Sequence, residues 1–282
     1  MDLLALSQRE FGHVILQDIT LICVIGVILA GLIHCWLRQA SPSQQWNQIG
    51  KVSTVGLGPA DIAGCLLVTS IYWIPIILPY QDTSSNEITT SGVIQMQAIF
   101  AFMAGAVFLI YHQRSLLPEA LGLRPKRPAL VLFWATLGFI LIRVIFMGLQ
   151  ELELEKWLSD RLGEPELQRI VSELMSTQNN QKRVTMIIAA CVFAPIIEEV
   201  IFRGYLYPVI KRYTEPVIAA IFTGVIFGTI HGQIWAVIPL SIFGILLALL
   251  YEKSGSIWTC ILCHAMFNSF NVYCMLTIGD QL

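Results

Sequence analysis

One stretch decides the fold of this chain: Ala194-Pro195-Ile196-Ile197-Glu198-Glu199-Val200-Ile201-Phe202-Arg203. It places two adjacent carboxylates and an arginine at the end of a long apolar run. An ionisable residue at membrane depth is costly, so it marks a functional site by default. Two further polar interruptions follow in the same half of the chain, Phe227-Gly228-Thr229-Ile230-His231 and His264-Ala265-Met266-Phe267-Asn268. We interpret the three interruptions as parts of one site.

The composition is typical of a polytopic membrane protein. Of 282 residues, 56% are hydrophobic and 13% are charged, and the mean hydropathy is +0.69. Soluble domains contain about 25% charged residues. The net charge of -2 argues against a nucleic-acid partner. The seven cysteines lie in or beside apolar runs, where cysteine usually acts as a small hydrophobe, so no disulfide framework is expected.

The apolar runs predict an all-α protein with about eight transmembrane helices in a lipid bilayer. Residues 1–183 are predicted to form an N-terminal four-span region, and residues 184–282 to form the core that carries the site, within one structural domain. Residues 1–18 are expected at the membrane surface. Residues 150–183 are expected to form an amphipathic interfacial hairpin, or a lid over the site. The predicted spans are 19–37, 60–80, 93–111, 129–149, 184–211, 216–231, 235–251 and 256–278.

The distribution of Lys and Arg predicts the orientation. With both termini outside, most of the Lys and Arg residues fall in cytoplasmic loops. A helix rises about 1.5 Å per residue, and this puts the three polar interruptions at one depth, inside the bilayer and toward the cytoplasmic face. Arg143 in the fourth span is expected to snorkel to the interface or to pair with a glutamate.

Helical spacing sorts the polar residues into faces. Residues at i and i+4 stack on one side of a helix. Three pairs have this spacing: Glu199 and Arg203, Phe227 and His231, and His264 and Asn268. Glu198 and Glu199 point about 100° apart, so they are expected to have different roles. We expect Arg203 to neutralise Glu199, which leaves Glu198 free to face the two histidines. Pro195 is expected to loosen the helix and to bring backbone carbonyls and water to the site.

These residue types suit hydrolysis in a water-filled pocket. Glu198 can act as a general base, and a histidine can share the attacking water. The second histidine and Asn268 can donate to a developing oxyanion. Alternatively, Glu198, His231 and His264 could hold a divalent metal such as zinc, which would activate the water. We favour the mechanism without a cofactor, because metal-bound histidines usually need orienting carboxylates and the sequence offers few.

The three motifs resemble those of the CPBP family, the CAAX prenyl proteases and bacteriocin-processing (Abi) intramembrane proteases. EExxxR is matched by Glu198, Glu199 and Arg203, FxxxH by Phe227 and His231, and HxxxN by His264 and Asn268. The resemblance implies an eight-helix membrane fold and cleavage of a membrane-associated, prenylated or leader-peptide substrate. It also implies that Glu198 and His231 activate water, while His264 and Asn268 bind the oxyanion or a metal.

Two aromatic residues, Phe227 and Phe202, are predicted to line the pocket beside these polar groups. The alternative function is that of a non-catalytic membrane scaffold or immunity factor which retains the motifs. A proton-coupled transporter fits less well. Transporters tend to show broken helices in two repeated halves, whereas the polar groups here are confined to one half of the chain.

Overall fold

The computed structural model describes residues 8–41, 50–78, 88–114, 121–153, 156–158 and 169–278. Within these ranges the chain forms helices and turns and no β-strand, so the all-α prediction is confirmed. In chain order we label the helices α1 (Gln8–Ala40), α2 (Pro59–Ile77), α3 (Thr90–Gln113), α4 (Pro128–Glu151), α5 (Arg169–Ser176), α6 (Asn180–Tyr213), α7 (Pro216–Thr229), α8 (Ile234–Ser254) and α9 (Ile257–Ile278).

The helices fit a protein that crosses the membrane several times. Among the described helices, six are long and apolar enough to span a bilayer, namely α1, α3, α4, α6, α8 and α9. Helices α2 and α7 are apolar but shorter. Large apolar side chains are widely exposed on the outer surface, for example Phe102 and Leu67, as expected where helices contact lipid. The polytopic fold is therefore confirmed, while the predicted number of eight spans stays a prediction.

The N-terminal prediction is wrong for residues 8–18. They belong to the continuous helix α1 and do not form a separate surface segment. The reason is that Leu16 is buried in the main apolar core, where α1 packs along α7. Residues 1–7 lie outside the described ranges, as does the middle of the predicted 150–183 hairpin. Its described part includes the amphipathic helix α5.

Two π-helical turns interrupt α6, at Ala189–Phe193 and at Phe202–Leu206. Each of them is followed two residues later by a proline, Pro195 or Pro208. Proline lacks an N–H, and its ring clashes with the preceding turn of an α-helix. An extra residue in the turn accommodates the ring without ending the helix. The short α-helical segment between the two π-turns, Ala194–Ile201, carries both glutamates of the EExxxR motif.

Glycines bring α7 and α8 into close contact. A Cβ added at Gly228 would lie 2.5 Å from the carbonyl oxygen of Val237, and one at Gly244 would lie 2.8 Å from the Cα of Gly224. Small residues four apart allow such close backbone approach in membrane helices. The resulting α7–α8 hairpin packs beside α6 and α9, and the site lies among these four helices.

Two ion pairs lie toward the Tyr213 end of α6, one of them partly exposed and the other buried. Arg114 binds both oxygens of Asp61, at 2.8 and 2.9 Å. Lys211 binds Glu252 at 2.6 Å and also donates to the carbonyl of Val52 at 2.9 Å. The first pair joins α2 to the end of α3, and the second holds α8 and residues 50–58 against α6.

Candidate active site

The two adjacent glutamates have different surroundings. The Glu199 side chain is fully buried, whereas 21% of the Glu198 side chain is exposed. Glu199 Oε1 accepts hydrogen bonds from Arg203 Nη1 at 3.0 Å and from His264 Nδ1 at 2.8 Å. Arg203 Nη2 in turn donates to the carbonyl of Gly244 at 2.9 Å. The expected i, i+4 pair between Glu199 and Arg203 is therefore present, and it also includes His264.

His264 links this buried pair to Glu198. Because the Glu199 carboxylate accepts from Arg203, we assign the proton on His264 Nδ1 as the donor to the same carboxylate. The other ring nitrogen, Nε2, lies 4.0 Å from Glu198 Oε2. Glu198 Oε2 accepts no hydrogen bond from the described residues. A 4.0 Å separation is too long for a direct hydrogen bond and suits an atom placed between the two groups.

His231 lies just beyond the end of α7. The predicted span reached residue 231, but the helix ends at Thr229 and His231 occupies the following turn. Its Nδ1 lies 2.7 Å from the carbonyl oxygen of Phe227. A carbonyl can only accept, so Nδ1 is the donor, and Nε2 of the neutral ring is an acceptor that remains available to the pocket.

Asn268 is anchored by the first π-turn of α6. Its Nδ2 donates to the carbonyl of Ala190 at 2.8 Å. Ala194 N–H bonds to the carbonyl of Ala189, and the next donor in that register would be Pro195, which has no N–H. Asn268 thus supplies the hydrogen bond that the proline leaves out. The expectation that Pro195 brings a backbone carbonyl to the site agrees with this contact.

An apolar cavity of about 420 Å³ joins these groups. Glu198, His231, His264 and Asn268 all contribute to its wall, together with Ile170, Val171, Leu174, Met186, Ala190, Phe227, Gln233, Leu240, Phe243, Phe267, Asn271, Val272 and Met275. Helix α5 supplies the first three of these apolar residues. An ion pair between Glu173 and Lys182 attaches α5 to α6.

The two predicted aromatic residues lie in different layers. Phe227 lines the cavity, and its ring centroid is 4.9 Å from that of His231 and 5.9 Å from that of His264. Phe202 is fully buried and packs edge-on against Phe227 at 5.2 Å, behind the cavity wall. Its position supports Phe227 from behind.

Besides Gln233, sequence reasoning missed a second polar residue of this cavity, Asn271. It lies three residues after Asn268 and seven after His264, on the same face of α9. That spacing was the signal that could have found it. Arg143 of α4 donates to Asn271 Oδ1 at 3.4 Å and stacks on Phe270 at 4.3 Å. Among the described residues, no glutamate pairs with Arg143, contrary to one of its two expected roles.

A shared metal site does not emerge from these contacts. Within the described ranges, no three His, Cys, Asp or Glu side chains are grouped closely enough to hold one ion. The zinc site of Glu198, His231 and His264 that was considered from the sequence stays a prediction, and no step below is routed through a metal.

Comparisons with known proteins agree with the motifs. Residues 180–270 match the family model described as Type II CAAX prenyl endopeptidase Rce1-like. The chain is 26% identical over 197 residues to the Bacillus subtilis (strain 168) protein Putative membrane peptidase YdiL, over 70% of this chain and 77% of that protein. No solved structure matches the chain. The resemblance that the three motifs indicate is thereby confirmed: this is a polytopic membrane protein whose residues 180–270 are similar to the CAAX prenyl endopeptidase family.

Proposed function

We propose that the chain is an intramembrane endopeptidase that hydrolyses a peptide bond of a membrane-associated peptide or protein, such as a prenylated or leader-peptide substrate. One observation carries the proposal. Glu198 Oε2 and His264 Nε2 face each other 4.0 Å apart at the wall of a large apolar cavity. The names of the matching family and of the Bacillus relative support peptide hydrolysis as the reaction class.

In the proposed mechanism, Glu198 and His231 activate the attacking water. The Glu198 carboxylate takes one proton from the water as general base, typically a contribution of about 10²–10⁴-fold. His231 Nε2 accepts from the other O–H and fixes the direction of attack. The water oxygen then bonds to the carbonyl carbon of the substrate and forms a tetrahedral oxyanion. Glu198 returns its proton to the leaving nitrogen as the C–N bond breaks, which yields a carboxyl group and an amine.

His264 and Asn268 are proposed to stabilise the oxyanion. The buried Glu199 carboxylate holds His264 through Nδ1, so a protonated ring would direct its Nε2–H at the cavity. Asn268 Nδ2 gives one hydrogen to Ala190, and the second is available for the oxyanion. Donors fixed before the reaction cost little reorganisation, and losing one such donor typically lowers the rate about 10²–10³-fold.

A proteolysis assay tests this function against the scaffold alternative. The purified protein in detergent micelles should cleave fluorogenic prenylated or leader peptides, and the Glu198→Gln variant should not. Equal behaviour of the two proteins in every assay would favour a non-catalytic membrane scaffold or immunity factor. Substrate trapping by Glu198→Gln in membranes, followed by mass spectrometry, would identify what is cut.

Chelation separates the proposed mechanism from a zinc-dependent one. We expect full activity after exhaustive treatment with a chelator, together with substoichiometric metal by elemental analysis. Activity that is lost on chelation and restored by zinc alone would make Glu198, His231 and His264 ligands in a rearranged site.

The side from which substrate enters follows from α5. Beyond the reacting groups, the cavity extends along α6 toward Asn180 and α5, away from Lys211 and Arg212. We propose that substrate enters from the α5 side of the membrane. The Lys/Arg distribution predicts that this side is outside, whereas the depth argument favoured a site toward the cytoplasm. Both statements assume that the two termini are outside. Topology reporters fused after residue 120 and after residue 282 test this assumption, because they should then report opposite sides.

A further inference from the structure

Tyr72 of α2 carries a buried hydroxyl group that the proposed mechanism does not use. The residue is half-buried, and its Oη atom is fully buried with no hydrogen-bond partner among the described residues. A buried hydroxyl without a partner costs stability, because it gives up its hydrogen bonds to water and gains none in return. Such a group therefore calls for a physical explanation, and a role in catalysis is one of those that recur.

Aromatic contacts place Tyr72 beside the helical turn that carries Glu198. The Tyr72 ring stacks on Phe100 of α3, with ring centroids 5.0 Å apart, and tilts against Phe202 of α6 at 6.2 Å. Phe202 lies one turn after Glu198, since its N–H bonds to the Glu198 carbonyl. The Tyr72 hydroxyl is close enough to the Glu198 carboxylate for the two groups to interact electrostatically. Tyr72 does not belong to the described wall of the cavity, so a role in catalysis has to act through Glu198.

The two side chains have complementary hydrogen-bonding needs. Glu198 Oε2 is a buried acceptor and Tyr72 Oη a buried donor, and neither has a partner among the described residues. A carboxylate oxygen can accept more than one hydrogen bond, so Oε2 can face the cavity and still accept from a second direction. One buried water between the two atoms gives each of them a partner. A donor to the charged form also compensates the carboxylate for the solvation that it loses in apolar surroundings.

We infer that Tyr72 is a positioning residue for Glu198: its hydroxyl donates to a water that in turn donates to Glu198 Oε2. This contact fixes the carboxylate in the orientation that takes a proton from the attacking water. The inference rests on the proposed function and adds to it a group outside the three motifs. Misplacing a reacting group by about 1 Å can cost about 10²-fold in rate, so kcat should depend on this contact although Tyr72 does not touch the substrate.

The first test is Tyr72→Phe, which keeps the ring and its two aromatic contacts and removes only the hydroxyl. We expect kcat to fall about 10–100-fold and KM to stay within about twofold, because the contact acts on the reacting group and not on substrate binding. The melting temperature should stay at or above that of the wild type, since the hydroxyl has no partner in the described protein.

Tyr111→Phe is the matched control. The Tyr111 hydroxyl is also buried, but it donates to the carbonyl of Gly204 at 2.8 Å. This variant should therefore show the opposite result, a lower melting temperature with an unchanged kcat per folded molecule. Together the two variants separate a hydroxyl that supports the reaction from one that supports the fold.

A second measurement detects the contact without any cleavage. With 3-fluorotyrosine in place of Tyr72, the ¹⁹F chemical shift should change when Glu198→Gln removes the neighbouring charge, and should stay the same in Glu151→Gln. A ¹⁹F signal that ignores Glu198→Gln would overturn the inference.

Three kinetic results would also overturn the inference and leave the proposed function intact. They are full kcat in Tyr72→Phe, a raised KM with unchanged kcat, which would make Tyr72 a substrate contact, and a loss of kcat that only follows a loss of folded protein. Absence of cleavage by the wild type would count against the proposed function instead, and the ¹⁹F measurement would still decide whether Tyr72 contacts Glu198.

Discussion

Helix α6 contributes to two buried ion pairs, and only one of them is linked to the cavity. The side chains of Glu199 and Arg203 are fully buried, and Oε1 and Nη1 are 3.0 Å apart. Those of Lys211 and Glu252 are almost fully buried, and Nζ and Oε1 are 2.6 Å apart. Lys211 also donates to the backbone carbonyl of Val52, so protein groups surround this pair. Glu199 instead holds His264, whose other ring nitrogen reaches a cavity beside Glu198. Buried charge pairs are common in structural roles, so the connection to a cavity, and not the burial, marks the functional pair.

Removal of the cavity-facing carboxylate should have the largest effect. We expect Glu198→Gln to lower kcat by about 10³-fold or more, because the amide cannot take a proton from water. The melting temperature should stay close to wild type, since Glu198 Oε2 makes no hydrogen bond with the described residues. Glu151→Gln, at the exposed end of α4, is the control and should change neither value. A fully active, well-folded Glu198→Gln protein would reverse the roles of the two glutamates.

Removal of the buried carboxylate should affect activity and stability together. In Glu199→Gln, Arg203 loses its charge partner and His264 loses the acceptor that fixes its ring. Breaking a buried pair from one side typically costs about 3–5 kcal/mol, so the yield of folded protein should fall at least as much as its activity. The measurements are thermal unfolding in detergent and kcat per folded molecule. Wild-type stability with lost activity would mean that Glu199 itself reacts.

The sequence predicted which residues meet better than how they are held. The i, i+4 rule and the helix rise were enough to bring Glu198, His231 and His264 to one cavity and to pair Glu199 with Arg203. The rule treats every turn as α-helical, and it could not predict the π-turns that Pro195 and Pro208 accompany. The Asn268–Ala190 contact depends on the first of these turns. Long-range contacts such as Arg143–Asn271 join helices far apart in the chain, and no local pattern encodes them.

Asn268 provides a smaller test of the same distinction. Asn268→Ala removes the donor to the Ala190 carbonyl and the second N–H that is proposed for the oxyanion. We expect kcat to fall about 10²-fold, with a modest loss of stability, about 1–3 kcal/mol, from the carbonyl left without a partner. Asn268→Gln moves the amide by one methylene and should not restore the rate. A loss confined to stability would limit Asn268 to supporting α6.

The smallest effect on catalysis is expected from the enclosed pair. Lys211→Met leaves Glu252 buried without its cation, and Glu252→Leu leaves Lys211 without its anion, so each single variant should lose about 3–5 kcal/mol of stability. The double variant should recover most of this loss, because two apolar side chains pack without a desolvation penalty. A loss of stability of about 1 kcal/mol should remain, because the Val52 carbonyl has lost its donor. A double-mutant cycle on thermal stability measures the coupling, and kcat per folded molecule should stay within about twofold throughout. If kcat fell tenfold in a stably folded double variant, the enclosed pair would be coupled to the site, and the contrast between the two ends of α6 would fail.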